Sequence, residues 1–158
     1  MNVVLIQTGK PDARLLDALG AQFQTAEISA SDAGEGAGAA ALDLVELERR
    51  FTDAPPDALV LAGDDMPAVE VALVAAKLQI PIVRVGAGAD FVDGAPARLL
   101  VSEGGFGRVS DRLATLLLCA GEPEQQALAA AGLGDRTLVV GADPERVVAA
   151  LRERLGLK

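Results

Sequence analysis

Apolar and polar positions along this chain fall into repeating blocks: a short apolar run, a turn rich in Gly, Pro or Asp, then a longer stretch with apolar residues every three or four positions. The first kind of block predicts strands buried on both faces, the second amphipathic helices. The clearest instance is Pro56–Asp90, in which Ala58–Leu61 and Ile82–Val85 are β-branched-rich strands flanking the helical stretch Met66–Leu78. That is a βαβ unit with an acidic turn, Gly63-Asp64-Asp65, after its first strand and a glycine-rich turn after its second.

The same rhythm extends in both directions. Val3–Ile6 predicts a first strand, Thr8–Asp12 a turn, and Asp12–Gln22 a helix, with Pro11 suited to a helix start and Gly20 near its end. Phe23–Ser29 predicts a second strand, Ser31–Gly38 a surface loop, and Ala40–Phe51 a helix carrying Leu42, Val45, Leu47 and Phe51. After the central unit, Ala97–Ser102 and Leu116–Ala120 are strand candidates, and Gly105–Leu116 is helical in its later part. Glu122–Ala131 predicts a helix closed by Gly132, and Thr137–Gly141 a last strand. Pro144–Leu155 predicts a helix opened by Asp143 as N-cap. Strands alternating with helices imply a Rossmann-like three-layer α/β/α fold with a mostly parallel sheet, as one domain spanning residues 1–158.

One helix carries a second message. In Met66–Leu78, Met66, Val69, Leu73 and Ala76 form one apolar stripe, and Val71, Val74 and Leu78 form another beside it. Two apolar faces need two burial partners, the second being either a neighbouring helix or a second subunit.

Composition narrows the function. A net charge of −9 argues against nucleic-acid or anionic-membrane binding. The acid is concentrated, with eleven Asp and Glu against two Arg in residues 27–70, so an anionic ligand approaches that side against repulsion. There is no histidine, which removes His-dependent nucleophilic catalysis and most zinc sites, and no metal or cofactor is expected. The single cysteine, Cys119, lies in an apolar run as a small buried hydrophobe and forms no intramolecular disulfide, which suits a reducing compartment. The start MNVVLIQTGKPD lacks a basic signal-peptide head, and no apolar run approaches a membrane span, so a cytoplasmic location is expected.

Several motifs, in order, carry a family resemblance. They are Thr8-Gly9-Lys10-Pro11-Asp12-Ala13, Gly63-Asp64, Ile80-Pro81, Val85-Gly86-Ala87-Gly88, Glu103 through Asp111 (EGGFGRVSD), and Val140-Gly141-Ala142 through Ala149-Ala150-Leu151. In this order the chain resembles the non-hydrolysing UDP-N-acetylglucosamine 2-epimerases, whose corresponding segments are Gly-Thr-Arg-Pro-Glu-Ala, a Gly-Asp turn, an Ile-Pro strand, a Val-Glu-Ala-Gly turn, Glu-Glu-x-Asn-Arg-x-x-Thr-Asp and Thr-Gly-Asn-Thr-x-x-Asp-Ala-Leu. The resemblance implies two Rossmann-like domains with a site in the cleft between them, and this chain corresponds only to the first. The second domain, which supplies most UDP contacts, has no counterpart in the sequence, and the segment between the second and third strands is short.

The resemblance also implies carboxylates that move the sugar proton next to the anomeric centre and assist departure and return of UDP. Asp64 keeps one such position. The glutamate of Val-Glu-Ala-Gly is Gly86, and the arginine that follows in the family is Asp90, a reversal of charge. Glu103 and Arg108 align with family residues, whereas Gly104, Phe106 and Gly107 replace the second Glu, the Asn and the first Arg. Lys10 keeps the charge of the N-terminal arginine without its two-pronged fork.

Each motif also has a purely structural explanation. Asp64 and Asp65 stand where open α/β sheets keep their sites, and also where a helix N-terminus takes capping carboxylates. Gly86–Gly88 is a tight turn, and Gly104–Arg108 is the best anion-site candidate because backbone N–H groups near a helix start attract anions. Pro56–Leu61 with Met66-Pro67 resembles response-regulator receivers, but the position of their phosphate-accepting aspartate is Gly63 here.

These observations lead to an expected epimerase-related single-domain protein, inactive alone, serving as a binding or assembly module and dimerising through Met66–Leu78. Asp64 and Glu103 are then vestigial catalytic acids, and Lys10 and Arg108 the ligand-binding cations. The alternative is a UDP-sugar-binding isomerase subunit completed by a partner chain. A degenerate receiver is the remote third.

Overall fold

In the computed structural model, which describes residues 1–8, 12–29, 44–92 and 105–156, the short apolar runs pair into one six-stranded sheet. Its strands are β1 (Asn2–Gln7), β2 (Gln24–Ser29), β3 (Ala58–Ala62), β4 (Ile82–Val85), β5 (Leu116–Cys119) and β6 (Thr137–Val139), in the order β2-β1-β3-β4-β5-β6. All the pairings are parallel, with Leu5 opposite Val60 and Val60 opposite Val83 at the centre. Side chains alternate across the pleat: Leu59 and Leu61 of β3 enter one core while Ala58 and Val60 enter the other. Both faces are therefore apolar, as the runs without polar interruption require.

The helices are α1 (Ala13–Gly20), α2 (Leu44–Asp53), α3 (Met66–Lys77), α4 (Ala89–Val92), α5 (Phe106–Leu113), α6 (Glu122–Ala130) and α7 (Pro144–Leu155). Leu15 and Leu19 of α1 join Val147, Val148 and Leu151 of α7 over one face of the sheet. Phe51 of α2, Val71 and Val74 of α3 and Leu128 of α6 cover the other, so the fold is a three-layer Rossmann-like α/β/α sandwich. Right-handed crossovers dictate this division: the step from β1 to β2 runs one way along the sheet, and every later step runs the other. The reversal puts a switch point between β1 and β3 at the carboxyl ends of the strands, the place where open α/β sheets keep their sites.

Helix starts follow the chain's aspartates. Asp12, Asp65 and Asp143 accept hydrogen bonds from Arg14, Ala68 and Glu145 backbone N–H groups at 3.0, 3.1 and 3.1 Å. Gly156 closes α7 in the left-handed conformation at φ 64°. Helix α3 ends differently, with Gln79 at φ 59° in place of a glycine.

Helix α3 packs against α2 and α5, which leaves its two apolar stripes unequally covered. Ala68, Val69, Val71, Ala72, Val74 and Ala75 are buried, whereas Met66 and Leu73 remain 46% and 52% exposed. The strand candidate Ala97–Ser102, the loop Ser31–Gly38 and the first residues of the helix expected from Ala40 lie outside the described residues. The turn of helix α4 was not expected, because four residues are too few to show a period. Among the described residues no helix is long and apolar enough to cross a membrane.

Candidate functional site

The carboxyl ends of β1, β3 and β4 converge beside the amino ends of α3 and α5. At the β1 end, Gln7 is buried; its Oε1 accepts from the Asp12 backbone N–H at 2.7 Å and its Nε2 donates to Glu27 at 2.9 Å. It thereby pins the point where the chain re-enters a helix after the first turn. Lys10, expected to face a ligand from that turn, lies outside the described residues. Thr8, which follows Gln7, donates its backbone N–H to Ala62 at 2.9 Å, and among the described residues its buried hydroxyl has no hydrogen-bond partner.

Gly63 follows β3 at φ 143°, and a Cβ there would lie 1.6 Å from the Thr8 hydroxyl oxygen. The glycine is thus imposed by close approach at the switch point. It turns the chain so that the next two carboxylates divide their tasks. Asp65 is the N-cap of α3. Asp64 is exposed, and among the described residues its carboxylate has no hydrogen bond, so the capping explanation holds for Asp65 alone.

The β4 end is built around a cation. Arg84 is only 3% exposed, and its Nε faces Asp111 Oδ1 across 3.4 Å. Its Nη1 donates to the carbonyl oxygen of Val85. Asp111, on the second turn of α5, also accepts from the backbone N–H of Gly88 at 2.9 Å, so one carboxylate ties α5 to β4 and to the turn that follows it. Burial pulls the Arg84 guanidinium below its ordinary range, opposed by Asp111 first and then by Asp64, Asp90 and Asp65. Burial pushes the Asp111 carboxyl up, opposed by Arg84 and by the Gly88 N–H. A guanidinium stays protonated under any ordinary condition, so the titrating member of the pair is Asp111.

Asp90 sits one turn further on. Its Oδ2 accepts from the Gly107 backbone N–H at 2.9 Å, and its carbonyl oxygen accepts from Arg108 Nε and Nη2 at 2.9 and 2.7 Å. Burial pushes its carboxyl up and Asp64 adds to this, while the Gly107 N–H, Arg84 and Arg108 act the other way. The Arg108 guanidinium also lies over the Phe91 ring, 5.3 Å from its centroid.

The expected anion site around Gly104–Arg108 therefore looks different once folded. Gly104 lies outside the described residues, and the Gly107 N–H already holds the chain's own Asp90 carboxylate. The charge reversal at position 90 is the reason: where the sequence comparison sought a cation, the fold buries an anion. Position 86 is open. Gly86 has φ 74°, and a Cβ there would meet nothing within 4 Å.

Of the four expected site residues, Asp64 and Arg108 are brought to the same edge, since the Cβ position of Gly107 lies 3.3 Å from that of Asp64. Glu103, like Lys10, lies outside the described residues. Sequence reasoning missed Arg84 and Asp111. The signal was a lone arginine in Ile82–Val85, because a charge in a strand buried on both faces requires a buried partner. Among the described residues no three His, Cys, Asp or Glu side chains are placed to hold a metal ion. Chemically, the edge offers one open carboxylate and a set of ions that neutralise one another.

A family model described as UDP-N-acetylglucosamine 2-epimerase matches residues 1–154. A search of curated protein sequences returned no significant match. Among solved structures, the chain is similar to a UDP-GlcNAc 2-epimerase from Methanocaldococcus jannaschii in complex with UDP-GlcNAc and UDP, with 21% identity and a TM-score of 0.72 over 89% of this chain and 46% of that one. It is similar to the enzyme from Neisseria meningitidis bound to UDP-GlcNAc, with 15% identity and a TM-score of 0.71 over 98% of this chain and 50% of that one. The UDP-N-acetylglucosamine 2-epimerase from Rickettsia bellii gives 17% identity and a TM-score of 0.70, with 100% and 52% covered. The chain spans about half the length of these structures.

Proposed function

The chain belongs to the UDP-N-acetylglucosamine 2-epimerase family, and from that premise we propose that these residues form a catalytically silent relative of the family's first domain, serving as a binding or assembly module. The observation that carries this reading is the filling of the β4 edge. Proton transfer at a sugar carbon needs carboxyl groups with opposed proton affinities facing the same open space. Here Asp90 and Asp111 are buried and turned onto backbone N–H groups, position 86 has no acid, and among the described residues of this edge Asp64 is the one exposed carboxylate. Among the described residues, four carboxylates (Asp64, Asp65, Asp90 and Asp111) gather around two guanidinium groups, which disfavours a pyrophosphate ligand.

Titration calorimetry with UDP and with UDP-N-acetylglucosamine tests the proposal. No saturable heat is expected from the 158-residue chain; binding of either ligand at micromolar concentration would overturn it. A second reading, in which the chain is a UDP-sugar-binding isomerase subunit using Lys10, Asp64, Glu103 and Arg108 with a partner chain, is favoured by one observation. Asp64 stays open at the switch point with the Arg108 end of α5 beside it. Rebinding of UDP after addition of a second-domain chain would favour that version.

The assembly role is proposed as a homodimer through α3, supported by the exposed Met66 and Leu73. Burying two such side chains contributes about 1.5–3 kcal/mol each. Light scattering after size exclusion that shows a monomer at micromolar concentration would remove the dimer from the proposal. A cytoplasmic location is part of the same proposal, supported by the single buried thiol of Cys119.

A further inference from the structure

We propose that α5 is a strap over the β4 edge, fastened to the turn after β4 by two buried carboxylate latches that release together, and that its lifting uncovers the Arg84 guanidinium. This goes beyond the proposed module role and does not depend on it, because it concerns the chain's own contacts and not a sugar or nucleotide.

The latches run in opposite directions across one seam. Asp111 of α5 accepts from the Gly88 backbone N–H of the turn, and Asp90 of α4 accepts from the Gly107 backbone N–H of α5, both at 2.9 Å. Each latch has its acceptor on one side and its donor on the other, so α5 cannot lift without breaking both. Arg108 adds a third tie in the same seam, with its Nε and Nη2 on the Asp90 carbonyl oxygen. The turn itself is held to the sheet. Ala87 is buried and donates its N–H to Leu118 at 3.1 Å, and a Cβ on Gly88 would lie 2.9 Å from that of Glu124 on α6. The part free to move is therefore α5.

Little apolar burial holds α5 down against α3 and β4. Its buried residues are Gly107, Ser110 and Asp111, whereas its apolar side chains Phe106, Val109 and Leu113 are half-buried. Helix α3, by contrast, buries six apolar residues. An element with few buried apolar contacts opens below the free energy of global unfolding. The closed state also carries a polar cost. Arg84 Nε and Asp111 Oδ1 face each other across 3.4 Å, both buried, and among the described residues neither has a hydrogen-bond partner. Lifting α5 carries Asp111 away and leaves Arg84 behind on β4. The strap thus decides whether the edge presents a set of paired ions or a free guanidinium.

The test is hydrogen exchange of the full chain in deuterated water without ligand, followed by nuclear magnetic resonance. Leu59, fully buried in β3 with its N–H on Pro81 at 2.9 Å, is the reference for global unfolding. In the wild type, the Gly88 and Gly107 amides and the Arg84 Nε–H should share one protection factor within about threefold, at least about tenfold below that of Leu59. Asp90→Ala should lower the protection of Gly88, which Asp90 does not hold, by about ten- to a hundredfold, and Asp111→Ala should do the same to Gly107. A wild-type disagreement beyond about threefold, or protection within about tenfold of that of Leu59, would overturn the proposal. So would a Gly88 amide unmoved by Asp90→Ala, because the latches would then release separately. If either variant fails to fold, the wild-type comparison alone decides. Exchange is read without nucleotide, so its outcome and that of the UDP titration are separable.

Discussion

Replacing Arg84 by methionine removes the guanidinium while keeping most of its apolar stem, and so isolates the buried charge. At 3.4 Å and an effective dielectric of about 20, the attraction between Arg84 and Asp111 is about 5 kcal/mol. Each partner also loses its hydration, since neither is more than 3% exposed. The net worth of the pair is therefore far below the Coulomb figure, while the cost of breaking it is not. Arg84→Met strands Asp111 with only the Gly88 N–H, and a stranded buried charge costs about 3–5 kcal/mol. The double variant Arg84→Met/Asp111→Leu strands no charge, only the Gly88 N–H, and is expected to recover at least half of that loss.

The pH dependence follows with a definite sign. Asp111 already has its proton affinity raised by burial, and Arg84 is the first to oppose this, so Arg84→Met raises the folded pKa further above the ordinary carboxylate value. A carboxyl raised in the folded state contributes stability that is complete below its unfolded pKa and is lost as pH rises through the folded one. The deficit of Arg84→Met should therefore be smallest below about pH 4 and grow toward neutrality. Urea unfolding of the wild type, both single variants and the double variant, from acid to neutral pH, measures all of this. Additive losses, or a single-variant loss under about 1 kcal/mol, would show that the two ions are not coupled and would refute the reasoning.

Three further expectations concern backbone and turn positions. Gly63→Ala should cost about 2–5 kcal/mol in urea unfolding, since φ 143° suits glycine alone and the new Cβ falls 1.6 Å from the Thr8 hydroxyl; a loss under 1 kcal/mol would contradict the close approach. Gln79→Gly should stabilise by up to about 1 kcal/mol by relieving the left-handed φ of 59°, read as a rise in the unfolding midpoint at unchanged slope. Gly86→Glu meets no steric obstacle, pays about 1–2 kcal/mol for its φ of 74°, and should fold without gaining epimerase activity. Turnover of UDP-N-acetylglucosamine by that variant would show that one missing glutamate alone silences the site.

Most of the framework is visible in the sequence because its signals are local. Ala58–Leu61 and Ile82–Val85 are strands within one residue of their expected ends, and Asp143 with Pro144 opens α7 as capping physics requires. Helix α3 was legible as doubly apolar, and the structure resolves part of that: Val71 and Val74 are buried against the sheet side of the chain, while Met66 and Leu73 are not. The site was less legible because its decisive contacts are long-range. Nothing near Arg84 in sequence names Asp111 as its partner, and nothing near Asp90 tells that the start of α5 will arrive beside it. A change from cation to anion at position 90 gave a loss of function when considered alone. In the fold it is half of a rearranged charge set, with Arg84 and Asp111 as the other half.

The most direct test of catalytic silence follows the sugar proton itself. The chain is incubated with UDP-N-acetylglucosamine in deuterated water, and the proton at C2 is observed by nuclear magnetic resonance. With Asp64 as the only exposed carboxylate at this edge among the described residues, no solvent deuterium should enter C2 and no epimer should form. Deuterium at C2, rising with protein concentration and abolished by Asp64→Asn, would contradict the account.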